Sequence, residues 1–167
     1  MKILIIGIVA SGKTVLAQKL EQRLNIKHYE IDSIVHDDRN RTKRTQEEQK
    51  VIIEEIAKHT DWIIEGTLRK NLEYLLDLAE QIIYLDIPLR TRKYRILARY
   101  IKQKIGIEKC NYKPTLKMLK QMYKWTSDYE KEREEREKTI NKYENKLIKI
   151  RNSKEMEEYI KNECSKT

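Results

Sequence analysis

Eight residues near the amino terminus, Gly7-Ile-Val-Ala-Ser-Gly-Lys-Thr14, have the types and spacing to hold a polyphosphate. They complete the pattern Gly-x-x-x-x-Gly-Lys-Ser/Thr, in which a curled backbone turns its N–H groups inward around phosphate oxygens. Gly7 and Gly12 permit the curl, and a helix opening near Lys13 adds its N-terminal dipole. The predicted nucleotide-binding set is Gly7, Ala10, Ser11, Gly12, Lys13, Thr14 and Val15, joined by Asn152 from the far end of the chain. Lys13 is placed to reach the β- and γ-phosphates as a catalytic cation, and the Thr14 hydroxyl to bind Mg²⁺. ATP and Mg²⁺ are therefore the expected cofactors.

The motif needs a strand before it and a helix after it, and both are legible. Lys2 to Ile6 is an apolar run of strand length, and Leu16, Leu20 and Leu24 share one helical face. Further strands are expected at Lys27–Ile31, Asp61–Glu65, Gln81–Asp86 and Lys146–Ile150, alternating with helices. That alternation predicts an α/β three-layer sandwich with a five-stranded parallel sheet, whose ligands gather at the carboxyl ends of the strands. Asp32, Glu65, Gly66, Arg69, Asp86 and Asn152 all fall at that edge.

The helices are read from periodicity and caps. Thr45 and Glu48 form a capping box opening a helix through His59, with Val51, Ile52, Ile53 and Ile56 inward. Asn71–Ala79 reads as a short helix, and Leu89 to about Lys104 as one with Tyr94, Leu97, Ile101 and Ile105 along its apolar stripe. Thr115 to about Tyr143 reads as one long helix whose Glu130–Lys138 run is a solvated, ion-paired face, for example Glu132 with Arg136 and Glu134 with Lys138. Ser153 is expected to cap a last helix that buries Met156, Tyr159 and Ile160.

The 167 residues carry 36 Lys/Arg against 27 Asp/Glu, and the excess is local. Residues 1–87 hold 13 basic and 15 acidic side chains, residues 88–125 hold 12 and 1, and residues 126–167 hold 11 and 11. An anionic ligand is expected at 88–125. Length suggests a single domain, 1–167, monomeric or dimeric. No signal-peptide pattern or membrane-length apolar run appears, so a cytoplasmic, non-membrane protein is expected. Cys110 and Cys164 make no Cys-x-x-Cys and read as reduced thiols; Cys110 and Trp125 read as packing residues.

The order of these pieces resembles the adenylate kinase and shikimate kinase branch of P-loop kinases, over most of the chain. Glu65-Gly66-Thr67-Leu68-Arg69 is similar to that branch's acidic-Gly-x-x-Arg element, whose arginine holds the acceptor's phosphate. Leu85-Asp86-Ile87-Pro88 with Arg95 and Arg99 resembles the strand and helix that carry its lid arginines. Within the branch the likeness is greatest to the DNA topology modulation (FlaR-like) proteins, through Tyr29-Glu30-Ile31-Asp32, Trp62–Gly66, Cys110 and Trp125. The resemblance implies a P-loop NTPase fold of adenylate kinase type, a basic lid-like segment at about 88–125, and transfer of ATP's γ-phosphoryl group to a small acceptor. Acceptor-binding residues are then Asp32, Gly66 and Arg69; catalytic ones Lys13, Asp32, Arg95 and Arg99; metal-binding ones Thr14 and Asp86. Between Asp32 and Thr45 the chain is too short for a nucleotide-acceptor insertion, and Gly106–Pro114 too short for a full lid domain, so weak activity on AMP is expected.

Asp32 is the candidate to orient or deprotonate an acceptor hydroxyl, its alternative being a strand-end carboxylate that caps backbone or holds a metal-bound water. The competing function is a nucleic-acid-associated ATPase, or a regulatory protein, holding DNA or RNA phosphates on the basic segment.

Overall fold

Five parallel strands, β1 (Lys2–Ile6), β2 (His28–Glu30), β3 (Trp62–Gly66), β4 (Gln81–Leu85) and β5 (Leu147–Ile150), form one sheet in the order β2-β3-β1-β4-β5. The computed structural model describes residues 1–37, 42–108 and 114–164. β1 is central, with Ile3 to Ile6 wholly or almost wholly buried, because a parallel strand covered on both faces must be apolar throughout. Its neighbours β3 and β4 lie on opposite sides, so the chain leaves β1 at the point where strand order reverses, where ligand crevices open.

Alternating side chains of the strands build two cores. On one face Leu4, Ile6, Ile64, Ile82 and Tyr84 meet α2 (Ile31–Val35), α3 (Gln46–Ala57), α4 (Leu75–Leu78) and Ile140 of α7 (Arg133–Asn141). On the other, Ile3, Ile5, Ile63, Ile83 and Leu85 meet α1 (Lys13–Leu24) and α8 (Ser153–Cys164) through Leu16, Ala17, Leu20, Met156, Tyr159 and Ile160. Each fully buried Leu or Ile contributes roughly 1.5–3 kcal/mol. The Thr45–Glu48 capping box opens α3 with both reciprocal hydrogen bonds made.

Several elements differ from the sequence reading. β2 is three residues long, and Asp32 sits in the first turn of α2 instead of at a strand end. Residues 71–79 divide into a 3₁₀ turn, Lys70–Leu72, and α4. The long helix breaks at Glu132 into α6 (Leu116–Lys131) and α7. The break lets α7 lie over β4: Arg133 pairs with Asp86 while Ile140 enters the core. The charged run is consequently no wholly solvated face, since Glu130 accepts from buried Arg92 and pairs with Arg133. Val51 is exposed, and Trp125 is 46% exposed where packing was expected.

The largest correction concerns α5 (Leu89–Lys104). Its helical period is as read, but Tyr94, Leu97, Ile101 and Ile105 face solvent while Arg92, Ile96 and Gln103 are buried. Arg92 decides the rotation, its Nε donating to the Ile87 carbonyl at 2.7 Å and its guanidinium also pairing with Glu130. A buried arginine is retained only with such partners, and once it is inward the aliphatic line must turn outward. Cys110 lies outside the described residues.

Candidate active site

The loop after β1 takes its curled shape from its own backbone geometry and is moored by contacts from β3, the residue after it and α5. Ala10 and Gly12 take left-handed conformations, φ 62° and 104°, and Ser11 N–H donates to the Ile8 carbonyl at 3.2 Å. Gly7 is required because a Cβ there would stand 2.7 Å from Ser11 Oγ. The loop is moored to β3: Gly7 N–H donates to the Gly66 carbonyl at 3.3 Å and Thr67 Oγ1 to the Gly7 carbonyl at 3.1 Å. Gly66 in turn packs so closely on α2 that a Cβ would lie 2.5 Å from Ile31 Cβ. The loop therefore meets α1 at a set angle, and the first N–H groups of that helix, which have no intrahelical partners, face the crevice.

Lys13 Nζ donates to the Ile8 carbonyl at 3.1 Å, so the ammonium lies across the loop mouth. Burial pushes it below the ordinary lysine value, opposed chiefly by the Glu65 carboxylate. Thr14 Oγ1 donates to Glu65 at 2.5 Å, and Glu65, at the carboxyl end of β3, is itself buried. Burial raises the Glu65 carboxyl above its usual range, while the Thr14 hydrogen bond and Lys13 pull it down. With its proton given to Glu65, the Thr14 hydroxyl presents lone pairs to a cation.

The structure brings Asp32 and Arg69 together as an ion pair at 3.0 Å, with the Asp32 carboxylate largely open to solvent. Arg95 Nη1 donates to the Ala10 and Ser11 carbonyls at 3.3 and 3.0 Å, and Nη2 to Ser153 Oγ at 3.0 Å. It thus clamps the loop to α8, at the position where the resemblance implied a lid arginine. Arg99 lies close enough for its charge to act on Lys13 and is paired with Glu108 at 2.8 Å. Val15 is exposed beside the loop, on the first turn of α1.

Two expected members are otherwise engaged. The Asp86 carboxylate, expected at the metal, is paired with Arg133 at 2.7 Å. Asn152 caps α8, its Oδ1 accepting from Glu155 N–H at 2.9 Å and its Nδ2 donating to the Glu155 carboxylate at 2.6 Å. The α8 cap is therefore Asn152 and not Ser153, which instead accepts from Arg95.

Sequence reasoning did not pair Glu65 with Thr14 or Arg133 with Asp86, and it did not set Arg136 against Tyr129. Glu65 ends an apolar strand just as Asp86 follows one, and the letters could not say which carboxylate meets Thr14. Arg136 stacks on Tyr129 at 3.2 Å from the ring centroid and has no carboxylate partner among the described residues. Nothing in the sequence of a charged helix marked either arginine. Among the described residues no three His, Cys, Asp or Glu side chains converge to hold a metal by themselves.

Residues 3–114 match the family model of an AAA domain. The chain belongs to that family. The match spans the loop, Asp32, Arg69, Arg95 and Arg99, whereas Arg133, Arg136 and Asn152 lie beyond it. The AAA domain chain is similar over 99% of its length to shikimate kinase from Aquifex aeolicus (17% identity, TM-score 0.52, 95% of that chain covered). Deoxyadenosine kinase from M. mycoides with bound dATP is similar over 99% of the chain (15% identity, TM-score 0.55, 100% of that chain covered). A gluconokinase from Sinorhizobium meliloti 1021 is similar over 98% (11% identity, TM-score 0.56, 89% of that chain covered). At these identities the likeness is one of fold, and the fold is the α/β P-loop kinase fold, adenylate kinase-like. No curated protein sequence matches the chain.

Proposed function

We propose that this AAA domain protein is an ATP- and Mg²⁺-dependent phosphotransferase acting on a small acceptor with a hydroxyl or phosphate nucleophile, such as a nucleoside or nucleotide. The observation that carries the reading is the convergence, on one sheet edge, of a phosphate loop, the Lys13–Thr14–Glu65 cluster and the Asp32–Arg69 pair. Phosphoryl transfer needs positioning and charge neutralisation more than a reactive side chain, and this edge offers both.

The residues fit the two cofactors. The left-handed backbone at Ala10 and Gly12 turns loop amides toward a polyphosphate, and Thr14, hydrogen-bonded to Glu65, is poised to ligate Mg²⁺. Glu65 takes the place in that shell for which Asp86 was the sequence candidate. When bound, Mg²⁺ neutralises phosphate charge. Lys13 leaves the Ile8 carbonyl for the phosphates. Arg69 orients the acceptor, and Asp32 accepts the hydroxyl proton as the acceptor oxygen bonds to the γ-phosphorus and the bond to the β,γ-bridging oxygen breaks. Arg95 holds the loop, and Arg99, released from Glu108, adds positive charge as ADP departs.

Acceptor-dependent ADP release, measured across nucleosides, nucleoside monophosphates, sugars and small hydroxy acids, tests the reading. One class should stimulate release, AMP should be a poor acceptor, and Lys13→Ala should cut turnover at least about a hundredfold by removing a transition-state contact. Unchanged turnover in Lys13→Ala, or no stimulation by any class, overturns the proposal.

A further inference from the structure

The outward line of α5 is apolar where a surface helix should be most polar. Tyr94 is 72% exposed, Leu97 42%, Ile101 48% and Ile105 62%, with Ile107 just beyond the helix at 72%. They lie on the face opposite Arg92, Ile96 and Gln103, which are buried. α6 covers that inner side, where Met118, Leu119 and Met122 border Ile96 and Tyr100. Nothing among the described residues covers the outer side. Cations line and border it: Arg90, Lys93, Lys102 and Lys104 have no ion-pair partner among the described residues, and 88–107 contains no acidic side chain.

Charge and size choose among occupants. Antiparallel pairing with a second copy would set Lys93 opposite Lys104 of the partner helix, like charge against like. The line from Tyr94 to Ile105 is about 16 Å long and one helix, about 10 Å, wide. Such a footprint is about a fifth of the roughly 800 Å² per partner that a stable protein interface buries. Nucleic acid would use the cations but gain nothing from four aliphatic side chains. A convex ridge with an aromatic and aliphatic crest, bordered by Lys93 and Lys104 on one side and Lys102 on the other, matches a bilayer interface, where the crest enters the acyl boundary and lysines reach anionic headgroups.

We propose that α5 docks the protein on an anionic lipid surface, lying along it. No helix of the described residues is long and apolar enough to cross a membrane, and the sixteen residues of α5 lie flat in this arrangement. Arg95 occupies the flank of α5 that faces the phosphate loop, so docking leaves it directed at the candidate active site.

Co-sedimentation of the full chain with vesicles at about 150 mM salt tests this. It should bind vesicles of phosphatidylcholine containing about one-quarter phosphatidylglycerol and not vesicles of phosphatidylcholine alone. The double variant Leu97→Asp/Ile101→Asp should lose binding at an unchanged melting temperature. Lys93→Gln/Lys104→Gln, which leaves the apolar crest intact, should weaken binding about thirtyfold, the product of two headgroup-scale attractions. Failure to bind the anionic vesicles, equal binding to both vesicle types, or full binding by Leu97→Asp/Ile101→Asp would overturn the proposal. So would a two-chain species in solution that this double variant reduces to one chain, which would assign the ridge to a second copy.

Discussion

Glu65→Gln removes one charge and almost no volume, and its consequences divide cleanly between catalysis and stability. Thr14 Oγ1 donates to this carboxylate at 2.5 Å, and the amide oxygen of Gln can still accept that bond. The change is thus from a charged hydrogen bond, about 1.5–3 kcal/mol, to a neutral one of about 1 kcal/mol. If the difference is felt fully in the transition state it lowers kcat by about 2- to 30-fold. With Mg²⁺ at Thr14 as proposed, loss of the neighbouring negative charge moves the effect to the upper end of that range and raises the Mg²⁺ concentration needed for half-maximal rate. Stability moves differently. Burial holds the Glu65 carboxyl above its ordinary value of 4.5, so the folded state binds that proton more tightly than the unfolded chain. The group contributes stability that is fully present below that value and is lost as pH rises through its raised folded value. Gln suffers no such loss. The melting temperature of the variant relative to the parent should climb as pH rises from 4.5 through the raised value and then level off. Steady-state ADP release against Mg²⁺ concentration, with thermal melts across the same pH range, reads both effects. A kcat and an Mg²⁺ requirement each within twofold of the parent protein would refute the place given to Glu65.

Two further substitutions separate structural from nucleotide-binding roles. Asn152→Ala should remove the cap of α8 at a cost of about 1 kcal/mol, lowering the melting temperature by about 2–4 °C while ATP affinity stays within about threefold; a tenfold loss of affinity without a thermal shift would return Asn152 to the nucleotide. Arg95→Ala should free the Ala10 and Ser11 carbonyls and raise the KM for ATP about tenfold, more than it lowers kcat; kinetics unchanged in both terms would show that the loop holds its shape without the clamp.

Much of this architecture follows from local chemistry that a linear chain displays. β1 and β4 had to be apolar beyond their first residues to lie inside a parallel sheet, the capping box at Thr45 had to open a helix, and the glycines of Gly7–Thr14 permit the curl a phosphate loop needs. Asp32, Gly66 and Arg69 were legible as edge residues because strand order fixes which ends of the strands meet. Other features depended on partners remote in sequence. Helical period identified a stripe on α5 but not its direction; that was settled by Arg92 finding the Ile87 carbonyl and Glu130. Glu65 lies near the end of one apolar strand and Asp86 just after another, and only packing decided that one meets Thr14 while the other is taken by Arg133, forty-seven residues away. A side chain's identity and spacing state what it can do, but charges are satisfied across the fold, and which partner each finds is a property of the assembled structure.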